Sequence, residues 1–337
     1  MEPFFLPSES GQRFCLFHPA RNYKARGAII YVHPFAEEMN KARRMAALQA
    51  RTMANAGFDV LQIDLLGCGD SSGEFADATW QIWQKDILVA HRWLRTRSQA
   101  PLILWGLRAG CLLAANAAAR LTEQAHFIFW QPVISGKKHW QQFTRLKIAA
   151  EFPSGRAKGV TEHLKQQLAA GQGVEIAGYT VSPVLADGLQ YAELQPPVKY
   201  SGWVAWVELS TREDATLAPV SQNCIEQWQA AGFMLDAKVV RGPGFWQTTE
   251  IEDAPELRRV ELAIAGATPG DGAIGEVAHA TAQVAPVRHE QRRQRRPDDR
   301  SPQPWRQRGA DPPGREGREA PPVAARHPTP DHVPVLA

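Results

Sequence analysis

Residues 101–110 read PLILWGLRAG, and this stretch decides the fold. PLILW is apolar and reads as a buried strand, and an alanine-rich helical segment runs from 108 to 121. Between them lies Gly106-Leu107-Arg108-Ala109-Gly110. Two glycines flanking one central residue, between a strand and a small-residue helix, have the spacing of a sharp strand-to-helix elbow. The glycines let strand and helix pack closely, and the central residue projects its side chain at the carboxyl edge of a sheet.

Outward from this turn, short apolar runs alternate with amphipathic ones. Strands are expected at 27–33 (GAIIYVH), 59–64, 126–130, 203–209 and 237–241, and helices at 41–57, 79–97 and 220–231. Continuous apolar strands alternating with helices imply a mostly parallel sheet covered on both faces, an α/β architecture. Residues 136–201 break the rhythm, with helical spacing at 140–152 and 160–170 and mixed signals at 171–194. An insertion between two strands of such a sheet is expected to cap the edge where ligands bind.

The folded domain is expected to span residues 1–262. The segment 266–337 holds 12 of the 25 prolines and 11 arginines but no Lys, Phe or Tyr. So little large apolar surface cannot offset chain entropy, and a disordered low-complexity tail is expected. Arginine without lysine, amid Pro, Ala and Gly, is also what out-of-frame translation of GC-rich DNA produces. The tail carries a net +2 and the preceding body +1. A nearly neutral body argues against a nucleic-acid partner. The basic run QRRQRR (291–296) is diluted by Asp298 and Asp299.

Residues 1–7 (MEPFFLP) show no cationic stretch followed by an apolar run, and no stretch approaches about 18 apolar residues. A cytoplasmic chain without a membrane span is the expectation. Cys15, Cys68, Cys111 and Cys224 lack metal-ligand spacing, so buried thiols and no metal or cofactor are expected.

Two further turns follow strands. His33-Pro34-Phe35-Ala36-Glu37-Glu38 follows the first, where a backbone N–H could serve an oxyanion hole. Residues 64–73 (DLLGCGDSSG) follow the second, as D-x-x-G-x-G-x-S-x-G. With the elbow, these turns resemble those of the α/β-hydrolases. More narrowly, YVHPFAEEMNKARR (31–44), WGLRAG (105–110), EIAGYTVSP (175–183) and GPGFWQTTEIE (242–252) resemble the exosortase-A-system-associated hydrolases of the second type. That resemblance covers roughly residues 1–260. It implies an ester, thioester or related acyl hydrolase associated with bacterial exopolysaccharide production.

The side chains depart from that pattern. The elbow apex is Arg108, a permanent cation and no nucleophile. Cys111 lies three residues on, off the apex. The triad histidine should follow the last strand, where Phe245 and Trp246 stand instead. The acid position survives at Asp214, with Glu213 as second choice, or serves only as a turn acid or helix cap. At a helix N-terminus, Arg108 could anchor an anion through its guanidinium fork, or pair internally with Glu37, Glu38, Asp64 or Asp214. His33, Phe35 and Leu107 are the other candidate ligand contacts, with His33 also a candidate loop-shaper. Glu37 and Glu38 could form an acid/base pair if burial split their pKa values. Trp80, Trp83, Trp93 and Trp246 read as core or pocket walls, and Trp246 would make the cleft more apolar. Two functions remain: an acyl hydrolase working through unorthodox groups, or a non-catalytic accessory protein of exopolysaccharide biosynthesis that binds an anionic, acyl or sugar ligand. Protein partners are not legible.

Overall fold

A computed structural model describes residues 1–21, 24–152 and 159–258. The expected domain end at 262 and the tail at 266–337 lie outside these residues.

The chain opens with an antiparallel hairpin, β1 (Glu2–Ser8) and β2 (Gly11–His18). Then follow β3 (Gly27–Val32), α1 (Glu37–Asn55), β4 (Phe58–Ile63), α2 (Trp80–Arg95), β5 (Leu102–Leu107), α3 (Ala109–Ala118) and β6 (Ala125–Trp130). An insertion carries α4 (Gly136–Glu151), α5 (Val160–Ala169), the small hairpin β7 (Val174–Ile176) and β8 (Tyr179–Val181), and α6 (Pro183–Gln190). The described part closes with β9 (Trp203–Ser210), α7 (Pro219–Ala230) and β10 (Met234–Arg241).

Eight strands form one sheet in the order β1-β2-β4-β3-β5-β6-β9-β10. It is parallel from β4 to β10, with β2 antiparallel to β4. Period-2 alternation sorts the side chains onto two faces. Ala28, Ile30 and Val32 of β3 join a core with α2 and α3, whereas Ile29 and Tyr31 join another with α1. Both faces being covered explains why the central strands are apolar throughout.

The expected α/β-hydrolase fold is thus the observed one, and each parallel strand expected from sequence exists. The N-terminal hairpin went unforeseen: β1 is largely exposed, so its apolar signal is weak. β5 runs to Leu107, two residues beyond the expected end, and so delivers the chain directly into the elbow. α4 begins at Gly136, four residues early, and its start packs against α6, where a Cβ on Gly136 would lie 1.8 Å from the Leu189 carbonyl oxygen.

Strand order reverses between β3 and β5, the position where open α/β sheets bind ligands at their carboxyl edge. The loop after β3 and the turn after β5 flank that position.

Candidate functional site

The elbow is built by close packing. A Cβ on Gly106 would come within 2.6 Å of the Cys111 backbone, and one on Gly110 within 2.3 Å of the Val32 carbonyl oxygen. The turn is therefore pressed against both α3 and β3, and Arg108 is driven to φ 55°, ψ −121°. An arginine gains nothing locally from this left-sided backbone, which is held by its surroundings. The Arg108 N–H donates to the Trp130 carbonyl at 3.0 Å, and its own carbonyl accepts from Cys111 and Val133. Ala36, before α1, has a similar conformation at φ 49°, ψ −125°. Neither the Phe35 N–H nor the Ala109 N–H donates to another group among the described residues. These are the positions from which an oxyanion hole would be furnished.

Above the elbow lies a cleft of about 520 Å³. Its inner lining is Phe35, Glu38, Arg108, His139 and Trp246, with Glu37 and Gln131 beside them. Lys41, Gln142, Arg145 and Gln247 stand at the exposed rim. His139, Gln142, Phe143 and Arg145 come from α4, so the insertion supplies one wall.

Arg108 Nε donates to Glu38 Oε1 at 3.1 Å. Its guanidinium carbon lies 5.4 Å from the Trp246 ring centroid, a cation–π contact. The two terminal guanidinium nitrogens make no hydrogen bond among the described residues. Of the four acids that could have paired with Arg108, the structure selects Glu38. Asp64 is taken by Arg43 at 3.0 Å and by the Asp70 N–H. Asp214, which is 79% exposed, meets only Arg212, at 3.3 Å. Glu213 pairs with Arg241 at 2.6 Å, also in solvent. Neither acid lines the cleft.

Electrostatics in the cleft follow from burial. Glu38 is pushed up to about 7 by desolvation, against the pull of Arg108 and with some repulsion from Glu37. Glu37 is also raised, chiefly by burial. Their position in the first turn of α1 favours their charge through the helix dipole, but burial outweighs it.

Other sequence candidates find structural duties. His33 Nε2 accepts from the Leu65 N–H at 3.3 Å, and Nδ1 sits 2.8 Å from the Pro34 carbonyl, so the ring ties the loop after β3 to the loop after β4. Leu107 is fully buried in the α1-side core. Of the expected ligand contacts, the structure brings Arg108 and Phe35 into the cleft and leaves His33 and Leu107 outside it. Cys111 is fully buried, its Sγ 3.7 Å from the Trp130 carbonyl and its thiol pushed well up by desolvation, which disqualifies it as a nucleophile. Ser71 donates to the Asp64 carbonyl and accepts from the Phe14 N–H, as a turn-former would. Phe245 and Trp246 are 1% and 4% exposed and close the α1-side core after β10. Among the described residues no cluster of His, Cys, Asp or Glu could hold a metal ion, and no helix is long and apolar enough to cross a membrane.

Sequence reasoning missed His139. It is 4% exposed, and both ring nitrogens lack a hydrogen-bond partner. Desolvation, reinforced by the Arg108 charge, holds it down at about 3, so the imidazole is neutral. The available signal was its place in the first helical turn of the insertion, directly after β6.

Comparison with known proteins gives a consistent picture. The family described as serine aminopeptidase, S33, matches residues 23–184. Protein ABHD12B of Homo sapiens is 31% identical over 111 residues, 33% of this chain and 29% of that protein. The chain thus aligns with less than a third of that relative's length. Among solved structures, a carboxyl esterase from Bacillus coagulans in complex with glycerol has a TM-score of 0.54 at 12% identity, covering 79% of this chain and 97% of its own. Est1E from Butyrivibrio proteoclasticus with ferulic acid bound gives 0.51 at 14%, covering 77% and 97%. Proline iminopeptidase from Mycobacterium smegmatis gives 0.51 at 15%, covering 79% and 98%. At these identities the structural likeness is one of fold.

Proposed function

We propose that this chain, a member of the α/β-hydrolase superfamily, binds a small organic anion in the cleft above Arg108 and does not perform serine-type acyl hydrolysis. One observation carries the reading: the elbow backbone is intact, yet its apex presents a guanidinium whose two terminal nitrogens are unpaired beside an open cleft. Two parallel N–H donors match a carboxylate or phosphate. The free amides at the start of α3 and in the loop after β3 add donors of the same polarity. Trp246 and Phe35 supply apolar walls for the ligand's body.

Among the described residues, the parts that serine-type ester cleavage needs are not found at the expected positions. Arg108 cannot attack a carbonyl carbon, and the turn after β10 has Phe245 and Trp246 where a base would be needed. Asp214, facing solvent beside Arg212, has no imidazole beside it among the described residues. The resemblance to exosortase-associated hydrolases supports a setting in exopolysaccharide production, with this chain as an accessory ligand-binding factor.

The test uses the intact protein. Calorimetric titration with phenylacetate, an anion carrying an apolar ring, should show saturable binding that Arg108→Ala weakens roughly thirtyfold. A fluorophosphonate probe and a panel of p-nitrophenyl esters should give neither labelling nor turnover above buffer. Ester turnover that disappears in Arg108→Ala would overturn the non-catalytic reading, and phenylacetate affinity unchanged in that variant would overturn the anion anchor.

A further inference from the structure

The cleft contains a polar group that an anion anchor leaves unexplained. His139 is buried, its ring 6.0 Å from Phe35 in edge-to-face contact, and neither Nδ1 nor Nε2 has a partner. A neutral imidazole carries one N–H donor and one acceptor nitrogen. Leaving both unpaired in a desolvated place forfeits their hydration without return, so native interiors rarely do so without a reason. The residue nonetheless lines the same cleft as Arg108, on the wall that α4 supplies.

We infer that the ligand of this cleft is a hydroxylated carboxylate, its carboxylate held by Arg108 and a neighbouring hydroxyl held by His139. This rests on the anion-binding reading above and narrows it. A hydroxyl is the small group that both donates and accepts, so it suits a neutral imidazole whichever nitrogen bears the proton. A second anionic oxygen would satisfy only the N–H, and a ligand ammonium only the bare nitrogen while facing Arg108. His139 is not suited to hold the carboxylate itself, because burial and the Arg108 charge keep it uncharged. The surroundings agree. Gln131, beside the cleft, has its Oε1 committed to the Leu209 N–H at 2.7 Å, so only its amide N–H groups remain for further hydrogen bonds. Gln142 and Gln247 add amides at the rim, where further hydroxyls would be met. His139 is thereby a specificity-determining contact that discriminates by a hydrogen bond, the kind of discrimination that shape alone achieves poorly.

The experiment compares mandelate with phenylacetate, which share ring and carboxylate and differ by one hydroxyl. By titration calorimetry, wild-type protein should bind mandelate at least about tenfold more tightly. His139→Phe should remove that preference, and His139→Gln, which retains a donor and an acceptor, should preserve part of it. Arg108→Ala should weaken both acids. Equal wild-type affinity for the two acids, with both still dependent on Arg108, overturns the hydroxyl inference and leaves the anion anchor standing. A preference that survives in His139→Phe overturns the role of His139. Failure of both acids to bind wild-type protein overturns the anion anchor and this inference with it. The wild-type comparison decides the matter even if a His139 variant fails to fold.

Discussion

The turn after β5 and the loop after β9 reach the same carboxyl edge of one sheet, yet they have fared differently. At the first, the backbone of a hydrolase elbow is intact around a residue that cannot do the elbow's chemistry. At the second, the acidic residues remain, but Asp214 and Glu213 point into solvent beside Arg212 and Arg241. The difference lies in what holds each segment. The elbow is fixed by Gly106 and Gly110 pressed against neighbouring backbone, so its geometry does not depend on the apex side chain. The acid loop has no comparable backbone clamp: Asp214 and Glu213 meet only exposed arginines. Trp246, from the turn after β10, packs on Arg108, and among the described residues Asp214 meets only Arg212.

The comparison breaks most sharply if the elbow's packing is attacked. Gly110→Ala places a methyl group 2.3 Å from the Val32 carbonyl oxygen and 2.7 Å from that of His33, both backbone atoms of the strand end. The expected loss of stability is roughly 3 kcal/mol, read as a lowered denaturation midpoint at unchanged slope. A fall below about 0.5 kcal/mol would mean that packing does not fix the elbow. The next largest effect concerns the apex. Arg108→Ala should cost about 2 kcal/mol of phenylacetate binding, the worth of a charged hydrogen-bonded contact, or roughly thirtyfold in Kd. It should leave the elbow backbone in place, with far-UV and near-UV spectra retained.

What could be read from sequence divides along the same line. The parallel strands were legible because both sheet faces are buried, which leaves continuous apolar runs such as GAIIYV and LILWGL. The elbow was legible because its two glycines are demanded by backbone contact. The β1–β2 hairpin was not, since β1 is exposed along most of its length and buries only Leu6, which gives little periodic contrast. Within the site, the choice of Glu38 as the partner of Arg108, out of four acids, depends on the helical phase of α1, which sequence spacing does not settle. His139 escaped notice for a different reason. It faces the elbow only because α4 starts at Gly136 and folds back over the sheet edge, a tertiary relation between segments some thirty residues apart.

A smaller effect should appear with pH. Glu38 is held near 7 by burial, and it faces Arg108, Glu37 and Lys41, with His139 and Arg145 also in the cleft. Below about 7 Glu38 is protonated, so Arg108, Lys41 and Arg145 are opposed mainly by Glu37. Above it the carboxylate returns beside Arg108 and repels a bound anion. Anion affinity should therefore fall as pH rises through about 7, by several-fold between pH 6 and pH 8, and Glu38→Gln should flatten the profile. His139, held at about 3, stays neutral across this window and adds nothing to it. A profile that rises with pH, or one unchanged in Glu38→Gln, would contradict this assignment.

The smallest effect is the one that tests the loop after β9. In an active hydrolase the acid at this position is indispensable, because it sets the tautomer and orientation of the base. Here Asp214 contacts only Arg212 at 3.3 Å, and both side chains are more than 70% exposed. An exposed pair of this kind contributes little, since solvent screens the attraction and ordering two mobile side chains opposes it. Asp214→Ala should accordingly shift stability by no more than about 0.5 kcal/mol and leave phenylacetate affinity unchanged. Glu213, paired with Arg241 in the same solvent-facing manner, should behave alike. A substantial loss of anion binding in Asp214→Ala would show that the loop after β9 turns inward when the cleft is filled. In that case the acid position would have kept a part in the site, and the contrast with the elbow would dissolve. An unchanged Kd would instead leave Arg108 as the functional remnant of this sheet edge, with its partners drawn from α1 and the insertion in place of the triad positions.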